Sequence, residues 1–151
     1  MTGPAVRLRP VEDADLPTFL AQEHDPATAA MAVMTPRAPD DFYAHWATIR
    51  AVPTNVLRSI TVDDVLVGRI MTWLQDGERE VGYVIGRDVW GRGYATEALR
   101  LLLEEVAERP VVAHVARENI GSRRVLEHCG FTVVAERIAE DGVQELTLRL
   151  D

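Results

Sequence analysis

Glu80-Val-Gly-Tyr-Val-Ile85, Gly86-Arg-Asp-Val-Trp90 and Gly91-Arg-Gly93-Tyr-Ala-Thr-Glu-Ala98 follow one another without a gap. The first block alternates as a strand does, the last opens a helical pattern, and two glycines stand at the joint. Glycine lets the backbone turn sharply and bring successive N–H groups close to a ligand with no side chain in the way. The helix that begins there adds unpaired N–H donors and a partial positive charge. Together these features make a cradle for a pyrophosphate. A nucleotide P-loop needs GxxxxGK[ST], and no Lys-Ser or Lys-Thr follows either glycine. A dinucleotide fingerprint is excluded too, because Thr96 stands where GxGxxG has its third glycine and the turn lies deep in the chain. A strand-to-helix turn with glycines for geometry alone stays open on these residues.

Working outward, residues 96–109 read as a helix with Ala95, Leu99, Leu102, Leu103 and Val106 on one face. An Arg100–Glu104 pair is expected outside it, and Pro110 stops it. Val111–Ala116 reads as a strand, 119–129 as a short helix ended by Gly130, and 131–138 and 143–150 as two closing strands. Upstream, Val56–Val62, 66–74 and 80–85 read as strands joined by turns at Asp63-Asp64 and Asp76-Gly77-Glu78. Val6–Pro10 reads as a first strand. The carboxylates of Glu12, Asp13 and Asp15 then precede a helix bearing Leu16, Phe19 and Leu20, with Pro17 in its first turn. Residues 24–39 read as a loop with a broken helical turn; Pro39-Asp40-Asp41 opens a second helix whose Phe42, Trp46 and Ile49 form one stripe. The expected order is β-α-α-β-β-β-α-β-α-β-β: an α/β (α+β) fold with a mixed sheet flanked by helices.

The chain has 151 residues, which suits one domain over 1–151 with a single core. Lys+Arg 16 against Asp+Glu 24 leaves a net charge of −8, so the long basic face that a nucleic-acid partner requires is missing. An acidic surface attracts cationic amines, although the same balance also simply keeps proteins soluble. The one cysteine, Cys129, rules out an internal disulfide. No signal peptide and no membrane-length apolar run is present, so a cytoplasmic location and no membrane partner are expected. His24, His45, His114 and His128 show no metal-ligand spacing.

Taken together, Val81-Gly-Tyr-Val-Ile85, Trp90-Gly-Arg-Gly-Tyr-Ala-Thr-Glu-Ala98, Glu118-Asn119-Ile-Gly-Ser122 and Val125-Leu-Glu-His-Cys-Gly-Phe131 resemble the GNAT acetyltransferase superfamily. The likeness is strongest to its RimJ/RimL-like branch, named for enzymes that acetylate ribosomal-protein amino termini. The resemblance covers nearly the whole chain and implies a GNAT-like, mostly antiparallel sheet. It implies acetyl-CoA as cosubstrate, no metal, and an amine acceptor, either a protein N-terminus or a small molecule; a homodimer is compatible with it. It further implies that backbone N–H groups around Val89, Gly91, Arg92, Gly93, Tyr94 and Ala95 hold the CoA pyrophosphate, while pantetheine lies along Tyr83, Val84 and Ile85. By the same resemblance Asn119 contacts the pantetheine arm and Ser122 lies near the sulfur. The chain departs from the superfamily twice. Asp88 stands where Gln or Arg is usual, and so is expected to point away from the pyrophosphate and contribute only backbone; Leu126 replaces a tyrosine that serves many members as general acid.

Acetyl transfer to nitrogen needs a neutral amine, a polarised thioester carbonyl and a protonated leaving sulfur. At pH 7 an α-amino group is about one-tenth neutral and a lysine amine about one part in a thousand, so the second needs a real base. Glu80 is the candidate base, acting through water, against the alternative of a solvent-facing strand residue. The backbone N–H of Val84 or Ile85 is a candidate to polarise the carbonyl. Ser122 is the candidate proton donor to sulfur, or else part of a plain helix entry capped by Asn119. Tyr83 reads either as a contact or as core. Tyr43 and Trp46 are carried as acceptor-binding candidates, although Trp46 shares with Phe42 a stripe that reads as core. Trp90 is expected beneath the turn, His114 and His128 as surface or sheet residues, and Cys129 as a packed small hydrophobe. The alternative function is a non-catalytic CoA-binding or assembly module on the same fold. A bulkier donor such as succinyl-CoA would call for a cation near the acyl pocket, and sequence assigns none.

Overall fold

In the computed structural model, which describes residues 3–32, 34–139 and 142–151, Val6–Pro10 (β1) pairs antiparallel with Val56–Val62 (β2). β2 pairs with Val65–Gln75 (β3), and β3 with Glu78–Ile85 (β4), both antiparallel. The two hairpin turns hold Asp63, Asp64, Asp76 and Gly77 at positive φ, the conformation that two-residue turns between right-twisted strands require. Val111–Ala116 (β5) lies parallel to β4; Thr132–Ile138 (β6) and Gln144–Leu150 (β7) complete a seven-stranded sheet in the order β1-β2-β3-β4-β5-β7-β6.

Among the described residues five α-helices flank the sheet: Leu16–His24 (α1), Pro26–Ala32 (α2), Pro39–Arg50 (α3), Tyr94–Glu105 (α4) and Ile120–His128 (α5). α2 is one helix more than the sequence pattern predicts, and it occupies the stretch expected to be a loop with a broken helical turn. Its start is ordered by Asp25, whose carboxylate accepts from the Thr28 N–H (3.1 Å) and hydroxyl (2.7 Å) ahead of Pro26. Helix α4 ends at Glu105, four residues short of the expected stop, because Arg109 turns back and its guanidinium donates to the Val106 (2.7 Å) and Leu103 (3.2 Å) carbonyls. Arg100 pairs with Glu97 at 2.9 Å rather than with Glu104.

Strand alternation divides the core between two faces. Ile70, Val81 and Ile85 pack with Ala98, Leu99, Leu102 and Leu126 of α4 and α5. On the other face, Val11, Leu16 and Phe19 pack with Phe42 and Trp46, and Met71 lies against them. Each fully buried leucine or isoleucine contributes about 1.5–3 kcal/mol. Because Arg69 lies opposite Val84, Met71 opposite Gly82 and Trp73 opposite Glu80, these six residues share the face turned toward α1 and α3. Val81, Tyr83 and Ile85 face the other way.

Candidate active site

The site begins where two strands part. β5 pairs with β7 from Val111↔Leu150 to Ala116↔Glu145, yet meets β4 only at Arg79↔Val111 and Glu80↔Val112. The β5-facing edge of β4 from Val81 to Ile85 therefore has no strand partner among the described residues, which leaves a slot where an extended ligand can lie as an added strand.

Beside the slot, on the α4–α5 side, lies an open cavity of about 470 Å³ whose exposed wall is mostly apolar. Its rim is the glycine turn. Gly91 (φ 77°) and Gly93 (φ 82°) are left-handed, and Gly93 is the N-cap of α4. A β-carbon added at either would meet nothing within 4 Å, so the space over the turn and the α4 amino end is free for an anion. Trp90 braces the turn: its indole N–H donates to the Ile85 carbonyl at 2.7 Å while its ring lines the cavity. This combination of slot, apolar wall and helix amino end fits a pantetheine–pyrophosphate ligand.

Tyr83, Val84, Ile85, Val89, Gly91, Gly93, Tyr94, Ala95, Asn119 and Ser122 all line this cavity, whereas Arg92 is exposed and does not. Asp88 is also exposed and outside the lining. Asn119 caps α5, its Oδ1 accepting from the Ser122 N–H at 3.1 Å, and its amide nitrogen donates to the Met31 carbonyl at 2.9 Å, tying α5 to α2. The Tyr83 hydroxyl donates to Ser122 Oγ at 3.0 Å. Burial pushes the phenol up to about 12, with the bond to Ser122 pulling the other way, so it stays protonated across the neutral range. Leu126 is fully buried among the core side chains.

A second cavity, of about 350 Å³, shares Tyr83, Val84, Asn119 and Ser122 with the first. Glu80 lies here, 8% exposed, with both carboxylate oxygens engaged. Trp73 Nε1 donates to Oε2 at 3.2 Å, and His114 Nε2 lies 2.8 Å from Oε1. Thr147 Oγ1 is 3.1 Å from His114 Nδ1, which lets the hydroxyl hold the ring with Nε2–H directed at the carboxylate. From sequence, His114 is simply a sheet or surface residue. Its link to Glu80 depends on β5 lying beside β4, and only sheet order reveals that. His128 borders the first cavity and is exposed.

Tyr43 is 41% exposed, edge-on to Phe42, and lines none of the three described cavities. Trp46 is 2% exposed and forms the floor of a third cavity of about 530 Å³, which meets the second at Met34, Arg69 and Met71. Cys129 is half-buried, and burial raises its thiol. Among the described residues no cluster of His, Cys, Asp or Glu is arranged to hold a metal, and no helix is long and apolar enough to cross a membrane.

Residues 5–132 match the model of the acetyltransferase (GNAT) domain. No curated protein matches the chain. Among solved structures it is similar to a Vibrio cholerae spermidine N-acetyltransferase in complex with CoA and spermine, with TM-score 0.86, 16% identity, and 96% of this chain and 94% of that one covered. Mycobacterium smegmatis RimJ in complex with CoA-disulfide gives TM-score 0.80 and 22% identity over 98% and 85% of the two chains. A putative acetyltransferase from T. thermophilus gives TM-score 0.76 and 26% identity over 99% and 87%. With an opened β4–β5 slot, a glycine turn at a helix amino end and a domain match over most of its length, this chain belongs to the GNAT acetyltransferase family and is an acyl-CoA-dependent acetyltransferase.

Proposed function

We propose that the protein acetylates a primary amine, a protein N-terminus or a small-molecule amine, by direct attack in a ternary complex, after the manner of the RimJ/RimL-like branch. The observation that carries this reading is the placement of two polar pairs, Glu80–His114 and Tyr83–Ser122, on β4 residues whose side chains leave opposite faces of the sheet, with Tyr83 and Ser122 common to both cavities. Acetyl-CoA supplies the acyl group as a thioester.

Glu80, held by Trp73 and His114, accepts a proton from the amine directly or through one water and becomes a neutral carboxyl, while His114 keeps it in position. The amine nitrogen forms a bond to the acyl carbon as the carbon–sulfur bond breaks. Ser122, whose oxygen accepts from Tyr83, is free to turn its own hydroxyl hydrogen toward the departing sulfur and protonate it. As it does so, the Tyr83 phenol passes its proton to Ser122 Oγ and is itself reprotonated from solvent. In this reading the Tyr83–Ser122 pair takes over the task that the tyrosine missing at Leu126 performs elsewhere in the family.

Calorimetric titration with acetyl-CoA followed by thiol-release assays over amines and amino-terminal peptides tests the proposal. Binding with release is expected, and Glu80→Gln is expected to lower kcat/KM about a hundredfold for lysine-type amines and less for α-amines, which are more often neutral already. Tight CoA binding without release from any amine would favour a non-catalytic module instead.

A further inference from the structure

Of the two buried arginines among the described residues, Arg79 pairs with Glu108 at 2.8 Å, and Arg69 is the one without a carboxylate partner. Its side chain leaves β3 on the same sheet face as Glu80, and it is 4% exposed. Among the described residues it makes no ion pair. Of its five N–H groups, one reaches the Phe19 carbonyl at 3.3 Å and one the Met34 thioether at 3.6 Å, a weak acceptor; Nε is buried with no partner. The guanidinium otherwise rests on the Phe19 and Trp46 rings, 5.4 and 5.7 Å from their centroids. Glu23, whose negative charge acts on Arg69, is itself fully buried and paired with Arg37 at 2.8 Å. A buried guanidinium with spare donors is costly to keep unless something completes it.

The position of this cation shows what completes it. Arg69 lines the second cavity, where Glu80 stands at the other end, and it also lines the third, where Arg37 lies. Arg69 and Trp73, the residue facing Glu80, are four positions apart on β3, a separation of about 13 Å at roughly 3.3 Å per residue. One sheet face thus carries a positive end and a negative end with the apolar Met71 and Gly82 between them. Resting on the acetyl-transfer reading above, we propose that the acceptor is zwitterionic: an amine, offered to Glu80 and His114, tethered to a carboxylate that binds Arg69. A carboxylate oxygen replacing the Met34 thioether at Nη2 gives the guanidinium a charge-assisted bond in place of a weak one. Arg69 is absent from the lining of the first cavity, which places the anion on the acceptor side rather than on the acyl donor.

The test compares ω-amino acids and short peptides, long enough for the amine and the free carboxylate to reach both ends, with the same compounds as carboxamides, using acetyl-CoA and the wild-type protein. Loss of the carboxylate is expected to lower kcat/KM at least tenfold, chiefly through KM. In Arg69→Met, which keeps an apolar stem over Phe19 and Trp46, the acid-to-amide ratio is expected to collapse toward one, with retained CoA binding reporting a folded protein. Equal use of acids and amides by the wild type, or a ratio surviving in Arg69→Met, overturns the proposal while leaving acetyl transfer intact. A wild-type preference for succinyl-CoA over acetyl-CoA also overturns it, by assigning the anion to the donor. If no amine of either kind is acetylated although CoA binds, the underlying reading fails and this one with it.

Discussion

Replacing Tyr83 by Phe removes a single oxygen, the one that donates to Ser122 Oγ at 3.0 Å. The ring itself is retained against the α4–α5 core, so the stability cost is that of one neutral hydrogen bond, about 1 kcal/mol. The catalytic cost follows from where the bond points. Without Tyr83, Ser122 loses the donor that leaves its own hydrogen free for the departing sulfur. A positioned proton donor contributes about 10²–10⁴ in rate, and a group acting one step behind it contributes less, so kcat is expected to fall about 10- to 100-fold. KM for acetyl-CoA should change less than kcat, because Phe keeps the ring in the cavity wall and only the hydroxyl is lost. The assay is thiol release under saturating acetyl-CoA for wild type, Tyr83→Phe, Ser122→Ala and the double variant. If the two residues act as one relay, the double variant is no slower than Ser122→Ala. An unchanged kcat in Tyr83→Phe, or fully additive losses in the double variant, would refute the relay and leave the bond a packing detail.

Two further expectations concern the cradle and the frame that holds it. Gly93→Ala forces a β-carbon into left-handed backbone at φ 82°, costing about 1 kcal/mol of stability, and places a methyl in the open space over the α4 amino end, so CoA affinity measured by calorimetry should drop severalfold or more. Unaltered affinity would remove the anion from that turn. Asp15, 3% exposed, is bound by the Arg9 guanidinium (2.7 and 2.8 Å), the Glu12 N–H and the Ser59 hydroxyl, which hold its carboxyl at about 2 against an ordinary 3.8. Its folded value is depressed, so its contribution of about 2 kcal/mol is fully present above pH 4 and fades as pH falls toward 2. Asp15→Asn should therefore be less stable than wild type by about that amount at pH 7 in urea unfolding, with the gap closing in acid; a gap constant with pH would contradict the pairing.

Local signals are enough for most of the fold and for the cradle. Hairpin turns at Asp63-Asp64 and Asp76-Gly77, the alternation of β2 to β4, the stripe of α4 and the glycines at 91 and 93 each act within a few residues, so each can be read without knowing what packs against it. The helix at Pro26–Ala32 is not legible in this way, because its Asp-Pro-x-Thr start sits in an Ala- and Pro-rich stretch with little apolar periodicity. Trp46 and Tyr43, close together on α3, end in different places: one beneath a cavity and the other at the surface.

What the chain's order of residues determined by itself was every strand and α-helix but the helix Pro26–Ala32, and the turn chemistry that points to a pyrophosphate, since backbone conformation at glycine and helix amino ends is a local property. Only the tertiary structure decided which side chains became a site. His114 meets Glu80 because β5, far along the chain, is inserted beside β4; Tyr83 meets Ser122 because α5 packs over the face to which odd-numbered β4 residues turn; and Arg69 is stranded without a carboxylate because α1 and α3 close over it. Those contacts join residues far apart in sequence, and their chemistry depends on burial and distance, which no single stretch of sequence encodes.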